Sequence, residues 1–267
     1  MTEWNAPEYA KLSSLQAAMA SEVLNLLRPK LRGDERILDV GCGNGKVTRE
    51  IAAMVPKGSV VGVDASETMV KFARAAVPSD PASAAPTNVI FDVMDARKLA
   101  FEMAFDLVVS FNALHWIAEA EQELVLRGIY KALKPSGVAQ LRLVPRGARQ
   151  SVEDTIEETA RSPRWKSFFV GVRDPYLHMP AESYSVLTEQ CGFQVESVRA
   201  KDHAWDFGSA AGFAAFASVT FVEWFQHVPE SEHSQFVADA LARYKPIAGD
   251  DHTFRFYQMD ITARRPS

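Results

Sequence analysis

A glycine-rich loop, Asp39–Gly45 (DVGCGNG), is the first segment in which residue types and spacing indicate chemistry. Glycine lets a backbone turn tightly and lets a ligand approach it closely, although a plain strand-to-helix turn would use glycine too. The carboxylate of Asp39 precedes the glycines, where it would repel a phosphate and attract a cation. The loop therefore favours a ligand that carries a positively charged group, such as an ammonium.

Two more acids follow apolar runs of the same kind. Asp64 comes directly after Ser59–Val63, and Asp95 follows Val89–Val93. An acid at the first of these positions accepts hydrogen bonds from both hydroxyls of a ribose in nucleotide-binding sheets. An acid at the second is placed to accept from the amine of an adenine, or it simply caps a helix or turn. The two carboxylates are thus candidate ligands of a nucleoside.

A nicotinamide-dependent oxidoreductase would share the first glycines and Asp64. Its G-x-G-x-x-G/A fingerprint ends in a glycine or alanine that this loop lacks. Asp39 is also unfavourable beside a pyrophosphate, because like charges repel. This class stays an alternative, but the loop does not favour it.

The elements that must position these groups alternate along the chain between apolar strands and amphipathic helices. Strands are predicted at 36–40, 59–63, 89–93, 105–110 and 138–144, and later at 193–206 and 252–262. Such alternation gives a mostly parallel sheet covered on both faces, with ligands beyond the carboxyl ends of its strands. We therefore expect an α/β protein with a doubly wound, mostly parallel, seven-stranded, Rossmann-like sheet.

Three segments resemble the class I S-adenosylmethionine-dependent methyltransferases. Ile37–Gly45 resembles motif I of that family, Val61–Met69 resembles motif II, and Leu133–Val138 resembles the turn before the fifth strand. The resemblance implies the methyltransferase version of the Rossmann-like fold and S-adenosyl-L-methionine as the cofactor. It also implies a set of cofactor contacts: Asp39, Gly41 and Gly43 at the methionine part, Asp64 at the ribose, Ala65, Met69, Asp95 and Ala96 around the adenine, and the backbone of Ser110 near the amino acid portion.

The segment Ser110–Trp116 is similar to the insect juvenile hormone acid methyltransferases and the bacterial trans-aconitate methyltransferases. Gln16 in the first predicted helix also resembles a glutamine of the hormone acid enzymes. The resemblance implies that Gln16 and Trp116 donate hydrogen bonds to a substrate carboxylate, with His115 beside them. Each of the three also has a plain structural interpretation, as a core, cofactor-contacting or solvated side chain.

The acceptor follows from these roles. A carboxylate is already a nucleophile and needs no base, so the resemblance implies O-methylation of a small carboxylic acid. If His115 is a general base, the acceptor is instead a heteroaromatic nitrogen, an amine or a phenol. A non-catalytic protein that binds S-adenosylmethionine is a third alternative.

The second half of the chain departs from the regular alternation. Residues 145–192 and 208–250 are rich in aromatic side chains, and we expect them to form a helical cap over the acceptor pocket of a single domain. Ordinary helix packing or a dimer face would give the same aromatic pattern. Arg142, Arg146 and Arg149 lie where they could attract an acidic substrate, or they are solvated.

Composition narrows the partners and the compartment. The net charge of -5 and the lack of a basic run disfavour nucleic acid as the substrate. Two cysteines favour a reducing cytoplasm. No signal peptide and no apolar stretch that would span a membrane are apparent. His227, His233 and His252 do not form a metal-binding pattern, so no metal is expected.

Overall fold

A sheet of seven strands runs through the part of the chain that the computed structural model describes, residues 14–77, 86–172 and 176–267 without the side chains of Ser14, Gln16 and Ala17. The strands are β1 Arg36–Val40, β2 Ser59–Asp64, β3 Val89–Val93, β4 Phe105–Phe111, β5 Leu133–Leu143, β6 Gln194–Asp206 and β7 Thr253–Arg264. Their order in the sheet is β3-β2-β1-β4-β5-β7-β6. β1 to β5 pair in parallel, whereas β7 is antiparallel to both β5 and β6. The predicted fold class is confirmed.

Helices cover both faces of this sheet. They are α1 Ser14–Leu27, α2 Lys46–Met54, α3 Glu67–Ala75, α4 Gln122–Ala132, α5 Val152–Ala160, α6 Ala181–Gln190, α7 Ala210–Thr220, α8 Val222–Phe225 and α9 His233–Ala248. Successive residues of β1 point to opposite faces, so Ile37 packs with α1, α2 and α3, while Leu38 packs with α4 and α6. No helix among the described residues is long and apolar enough to cross a membrane.

A third core lies beside the sheet and consists mainly of aromatic side chains. We call it the aromatic cluster: Trp165, Tyr176, Phe213, Phe216, Phe221, Trp224, Phe225, Phe236, Tyr244, Phe254 and Phe256. It is built by α5, α7, α8, α9 and the first residues of β7, and the side chain of Trp116 packs against it. Residues 208–250 thus contribute to one shared core with α5.

Helix α6 differs from its neighbours in 145–192. Its residues Ala181 and Tyr184 belong to the core on the α4 face of the sheet, apart from the aromatic cluster. The position follows from chain order, because α6 directly precedes β6 and connects the centre of the sheet to its edge.

β5 begins at Leu133, five residues before the predicted start at Val138. Phe105 pairs with Leu133 and Leu107 pairs with Val138, so the register shifts within β5. Ser136, with φ of 63°, makes the bend. The Pro-Ser-Gly turn signal is therefore an irregularity inside the strand, which local sequence cannot distinguish from a strand boundary.

Candidate active site

The glycine loop folds back over the end of β2. The amides of Gly41 and Cys42 both donate to the carbonyl oxygen of Val63, at 2.8 and 3.0 Å. Gly41 has a φ of 76°, and a Cβ at this position would overlap the Cβ of Ala113. Glycine is required here on both counts, and the loop lies directly against the segment that follows β4.

Asp64 joins the loop to the start of α3. Its Oδ2 accepts from the amide of Gly43 at 2.8 Å, and its Oδ1 accepts from the amide of Ser66 at 2.9 Å. The Ser66 hydroxyl in turn accepts from the amide of Met69 at 3.3 Å, which caps α3. The structure thus brings Gly43, Asp64 and Met69 together, with Ala65 in the connecting bend.

Asp39 is buried at the end of β1, with 3% of its surface exposed. Burial raises its pKa from 3.8 to about 7, the negative charge of Asp64 adds to the rise, and a hydrogen bond from Thr48 Oγ1 opposes it. That bond is 2.7 Å long. A buried carboxyl in this state is stabilised in its ionised form by a cation placed beside it.

Asp95 is engaged by a neighbour in its own turn. Its carboxylate accepts from the backbone amide and the guanidinium of Arg97, and it caps the short helix that begins at Ala96. These hydrogen bonds hold the pKa of Asp95 below its usual value. The turn interpretation of Asp95 therefore describes its contacts in this structure, and a contact with adenine stays a prediction.

The side chain of Ser110 has a structural contact. It is fully buried, and its hydroxyl donates to the carbonyl oxygen of Val40 at 2.7 Å, which braces β4 against β1. Its backbone contact with the cofactor stays a prediction.

His115 lies on the short helix Leu114–Trp116 after β4 and is 5% exposed. Its Nδ1 accepts a hydrogen bond from the backbone amide of Val144 at 3.3 Å. Burial lowers its pKa from 6.5 to about 3, so the ring is neutral at pH 7. Because Nδ1 is the acceptor, the proton is on Nε2, and His115 presents a hydrogen-bond donor on that side.

Trp116 and His115 share an aromatic neighbour that sequence reasoning left without a role. The ring of Tyr176 lies 5.4 Å from each of theirs, and Trp116 also lies 6.2 Å from Trp224. The aromatic composition of residues 145–192 and a scattered likeness to the hormone acid methyltransferases pointed to Tyr176, but neither assigned it a role.

Gln16 belongs to α1, but its side chain lies outside the described residues. The residues around it show where this part of the helix sits: Leu15 is in the aromatic core and Met19 packs against it. The turn that carries Gln16 is therefore adjacent to the cluster on which Trp116 packs.

The arginines considered for an acidic substrate are largely engaged. Arg142 is buried and paired with Asp260, and Arg149 is paired with Asp202. Both interpretations of Arg142, as a substrate-attracting and as a solvated residue, are therefore wrong, because its guanidinium is enclosed between strand and helix.

These groups suit a cofactor with a cation at one end and a nucleoside at the other. Buried Asp39 has the charge and environment to face a cation, and Asp64 lies across the loop from it. Gly41 leaves no side chain between the loop and the β4 segment. These three residues thus fit S-adenosylmethionine.

Comparison with known proteins agrees with this fit. Residues 37–137 match the methyltransferase domain family. The chain is 30% identical over 205 residues to the juvenile hormone acid O-methyltransferase of Bombyx mori, covering 74% of this chain and 71% of that one. It is 25% identical over 276 residues to the trans-aconitate 2-methyltransferase of Methylobacterium radiotolerans, covering 100% of both chains.

Solved structures show the same fold. A putative methyltransferase from Bacillus halodurans superposes with a TM-score of 0.64 at 19% identity, covering 94% of this chain and 100% of that one. A phosphoethanolamine N-methyltransferase from Haemonchus contortus, solved with S-adenosylhomocysteine, gives a TM-score of 0.63 at 19% identity, covering 98% of this chain and 57% of that one. The chain belongs to the S-adenosylmethionine-dependent methyltransferases, and S-adenosylmethionine is its cofactor.

Proposed function

We propose that the protein transfers a methyl group from S-adenosylmethionine to a carboxylate oxygen of a small organic acid. The state of His115 carries this proposal. With Nδ1 engaged by Val144 and a pKa of about 3, its ring is a poor base at neutral pH and a good hydrogen-bond donor. Such a site suits an acceptor that is already a nucleophile.

The chemistry asks little of the protein beyond alignment. S-adenosylmethionine supplies an electrophilic methyl group on a sulfonium. A carboxylate oxygen forms the new C–O bond in line as the C–S bond breaks, and the electron pair of that bond stays on sulfur. No proton moves, so the enzyme must orient the acid and exclude water.

We assign the orienting contacts to three residues. His115 Nε2 donates to the carboxylate, and Gln16 and Trp116 are its further proposed partners. Trp116 packs against the aromatic cluster, which in this proposal would exclude water from the acceptor, with α5 and α7 to α9 as the cap of a single domain. An apolar body on the acid would pack well against such a surface.

We place the cofactor on the opposite side of residues 112–116, the segment that follows β4. Asp39, Gly41 and Gly43 would hold the methionine part, with the backbone of Ser110 near it. Asp64 would hold the ribose. Ala65, Met69, Asp95 and Ala96 would surround the adenine. The hydrogen bond between Asp64 and Gly43 supports this arrangement, because it joins the two halves of the proposed site.

The names of the relatives point in the same direction. Besides the hormone acid and trans-aconitate enzymes, the chain is 28% identical over 135 residues to a malonyl-[acyl-carrier protein] O-methyltransferase of Bacillus cereus. All three names describe methylation of acids. The alternative, methylation of an amine or phenol with His115 as base, is disfavoured by the low pKa of that ring.

The experiment is an acceptor screen with matched compounds. Purified protein and S-adenosylmethionine are incubated with aliphatic and aromatic acids, and in parallel with the corresponding amides, alcohols, amines and phenols. Methylated products are identified by mass spectrometry, and mild alkali releases methanol only from methyl esters. Turnover of acids to alkali-labile esters supports the proposal. Turnover confined to amines or phenols contradicts it.

A further inference from the structure

Arg142 is a fully buried cation that holds three elements together. Its Nε and Nη2 donate to the two carboxylate oxygens of Asp260 on β7, at 2.7 and 2.8 Å. Its Nη1 donates to Glu22 at 3.0 Å and to the carbonyl oxygen of Met19 at 3.4 Å, both on α1. The guanidinium therefore links β5, β7 and α1 through four directed bonds.

The backbone of the same residue holds the segment after β4. The carbonyl oxygen of Arg142 accepts from the amide of Asn112 at 2.8 Å. Asn112 has a φ of 56°, an uncommon conformation for a residue other than glycine, and its side chain accepts from Gln258 at 3.2 Å. Asn112 begins the turn that leads to His115 and Trp116.

The attachment on α1 lies at a transition in the packing of that helix. Leu15 and Met19 contact the aromatic core, whereas Val23 and Leu24 pack on the sheet. Arg142 contacts α1 at Met19 and Glu22, from the end of the first stretch to the residue before the second. These two hydrogen bonds thus hold the neighbouring turn, which carries Gln16.

Stability alone is a weak reason for this network. Removing a guanidinium from water is costly, and well-packed apolar residues often replace a buried ion pair without loss of stability. What an arginine adds is a fixed geometry, since its planar fork sets the direction of each bond.

We propose that Arg142 is a positioning residue for methyl transfer. It sets the spacing between the helix that carries Gln16 and the turn that carries His115 and Trp116, and so determines how the acceptor is aligned. This inference rests on the proposed function, in which those three residues orient the acid.

The test compares three substitutions by acceptor kinetics, cofactor affinity and melting temperature. Arg142→Lys keeps the charge but not the fork, so we expect kcat/KM for the acceptor to fall about tenfold to a hundredfold through misalignment. Glu22→Gln removes the charge of one partner on α1 but leaves the bond from Arg142 to the carbonyl oxygen of Met19, so it should lower kcat/KM less. Arg264→Lys is the matched control, because Arg264 is a partly exposed arginine on β7 that pairs with Glu196 on β6. Affinity for S-adenosylmethionine should stay within about twofold throughout.

Two results would overturn the inference. One is a lower melting temperature with unchanged kcat and KM for the acceptor. The other is a loss of cofactor affinity as large as the loss of kcat/KM. If Arg142→Lys does not fold, Glu22→Gln decides, since that side chain is 40% exposed. The wild type is screened first. If it methylates only amines or phenols, the proposed function fails, and the variants are then compared on that acceptor.

Discussion

The carboxylate of Asp64 holds the amide of Gly43 at 2.8 Å, although the two residues are 21 positions apart in the chain. Its other oxygen holds the amide of Ser66. One side chain therefore fixes the glycine loop relative to the start of α3. Any ligand that spans the ends of β1 and β2 depends on that arrangement.

We accordingly expect Asp64→Ala to weaken S-adenosylmethionine binding about tenfold to a hundredfold, from the loss of charge-assisted hydrogen bonds to the loop and the ribose. Isothermal titration measures the change. Asp92→Ala is the control, because Asp92 is a neighbouring acid on β3 that pairs at the surface with Arg74. An unchanged dissociation constant for Asp64→Ala would show that the ribose lies elsewhere.

The raised pKa of Asp39 predicts that cofactor binding depends on pH. With a pKa of about 7, its carboxyl is half protonated near neutral pH before the cofactor binds. A cationic ligand favours the ionised form, so affinity should rise with pH through 7 and be about tenfold weaker at pH 6 than at pH 8. Calorimetry in buffers with different ionisation enthalpies should also detect proton release on binding.

The control for this prediction is Asp39→Asn, which keeps the shape and an acceptor for Thr48. Comparing the two proteins cancels the titration of the ligand itself. Because the pKa of Asp39 is higher in the folded than in the unfolded protein, the folded state binds more protons between about pH 4 and pH 7. Without cofactor, the wild type should therefore lose stability relative to Asp39→Asn as the pH rises through this range. Identical pH profiles for the two proteins would contradict the role of Asp39.

The sequence predicted the parts of the site that depend on local patterns. The glycine loop, Asp64 at the end of β2 and Asp95 after β3 all occur within a few residues of a strand end. Parallel pairing then brings those ends to one edge of the sheet. The capping role of Asp95 was also visible, as one of two interpretations of an acid in a turn.

The parts that sequence reasoning missed depend on partners far apart in the chain. Arg142 was interpreted as either substrate-attracting or solvated, and neither holds, because its partners Glu22 and Asp260 lie about 120 positions away on either side. The tautomer of His115 depends on the amide of Val144, on an adjacent strand end. No local pattern encodes a contact of this kind, so only the folded chain reveals it.

Gly41 predicts a steric limit on the loop. Gly41→Ala should destabilise the protein and weaken cofactor binding, because the new Cβ would overlap that of Ala113. Gly208→Ala is a matched control: its φ is 72° against 76° at Gly41, with nothing within 4 Å of the added Cβ. Both variants share the cost of a left-handed alanine, about 1–2 kcal/mol. Thermal unfolding and titration should show the further loss only at Gly41. Equal losses at both sites would mean that the β4 segment yields to the new methyl group.

His115 offers the sharpest separation of structure from catalysis, because its two ring nitrogens have different tasks. In His115→Asn the side-chain oxygen replaces Nδ1 and can still accept from Val144, but the Nε2 donor is lost. In His115→Gln the amide nitrogen approximates Nε2, but the acceptor for Val144 is lost. We therefore expect the Asn variant to keep its melting temperature. Its kcat for the acid should fall about tenfold or more, because one hydrogen-bond donor to the acceptor carboxylate is lost. The Gln variant should melt lower and retain more activity.

For the wild type at saturating cofactor, kcat should show no ionisation between about pH 6 and pH 8, since His115 stays neutral throughout. A kcat that rises with a pKa near 6.5 and is lost in both variants would identify His115 as a general base, and would move the acceptor from a carboxylate to an amine or phenol.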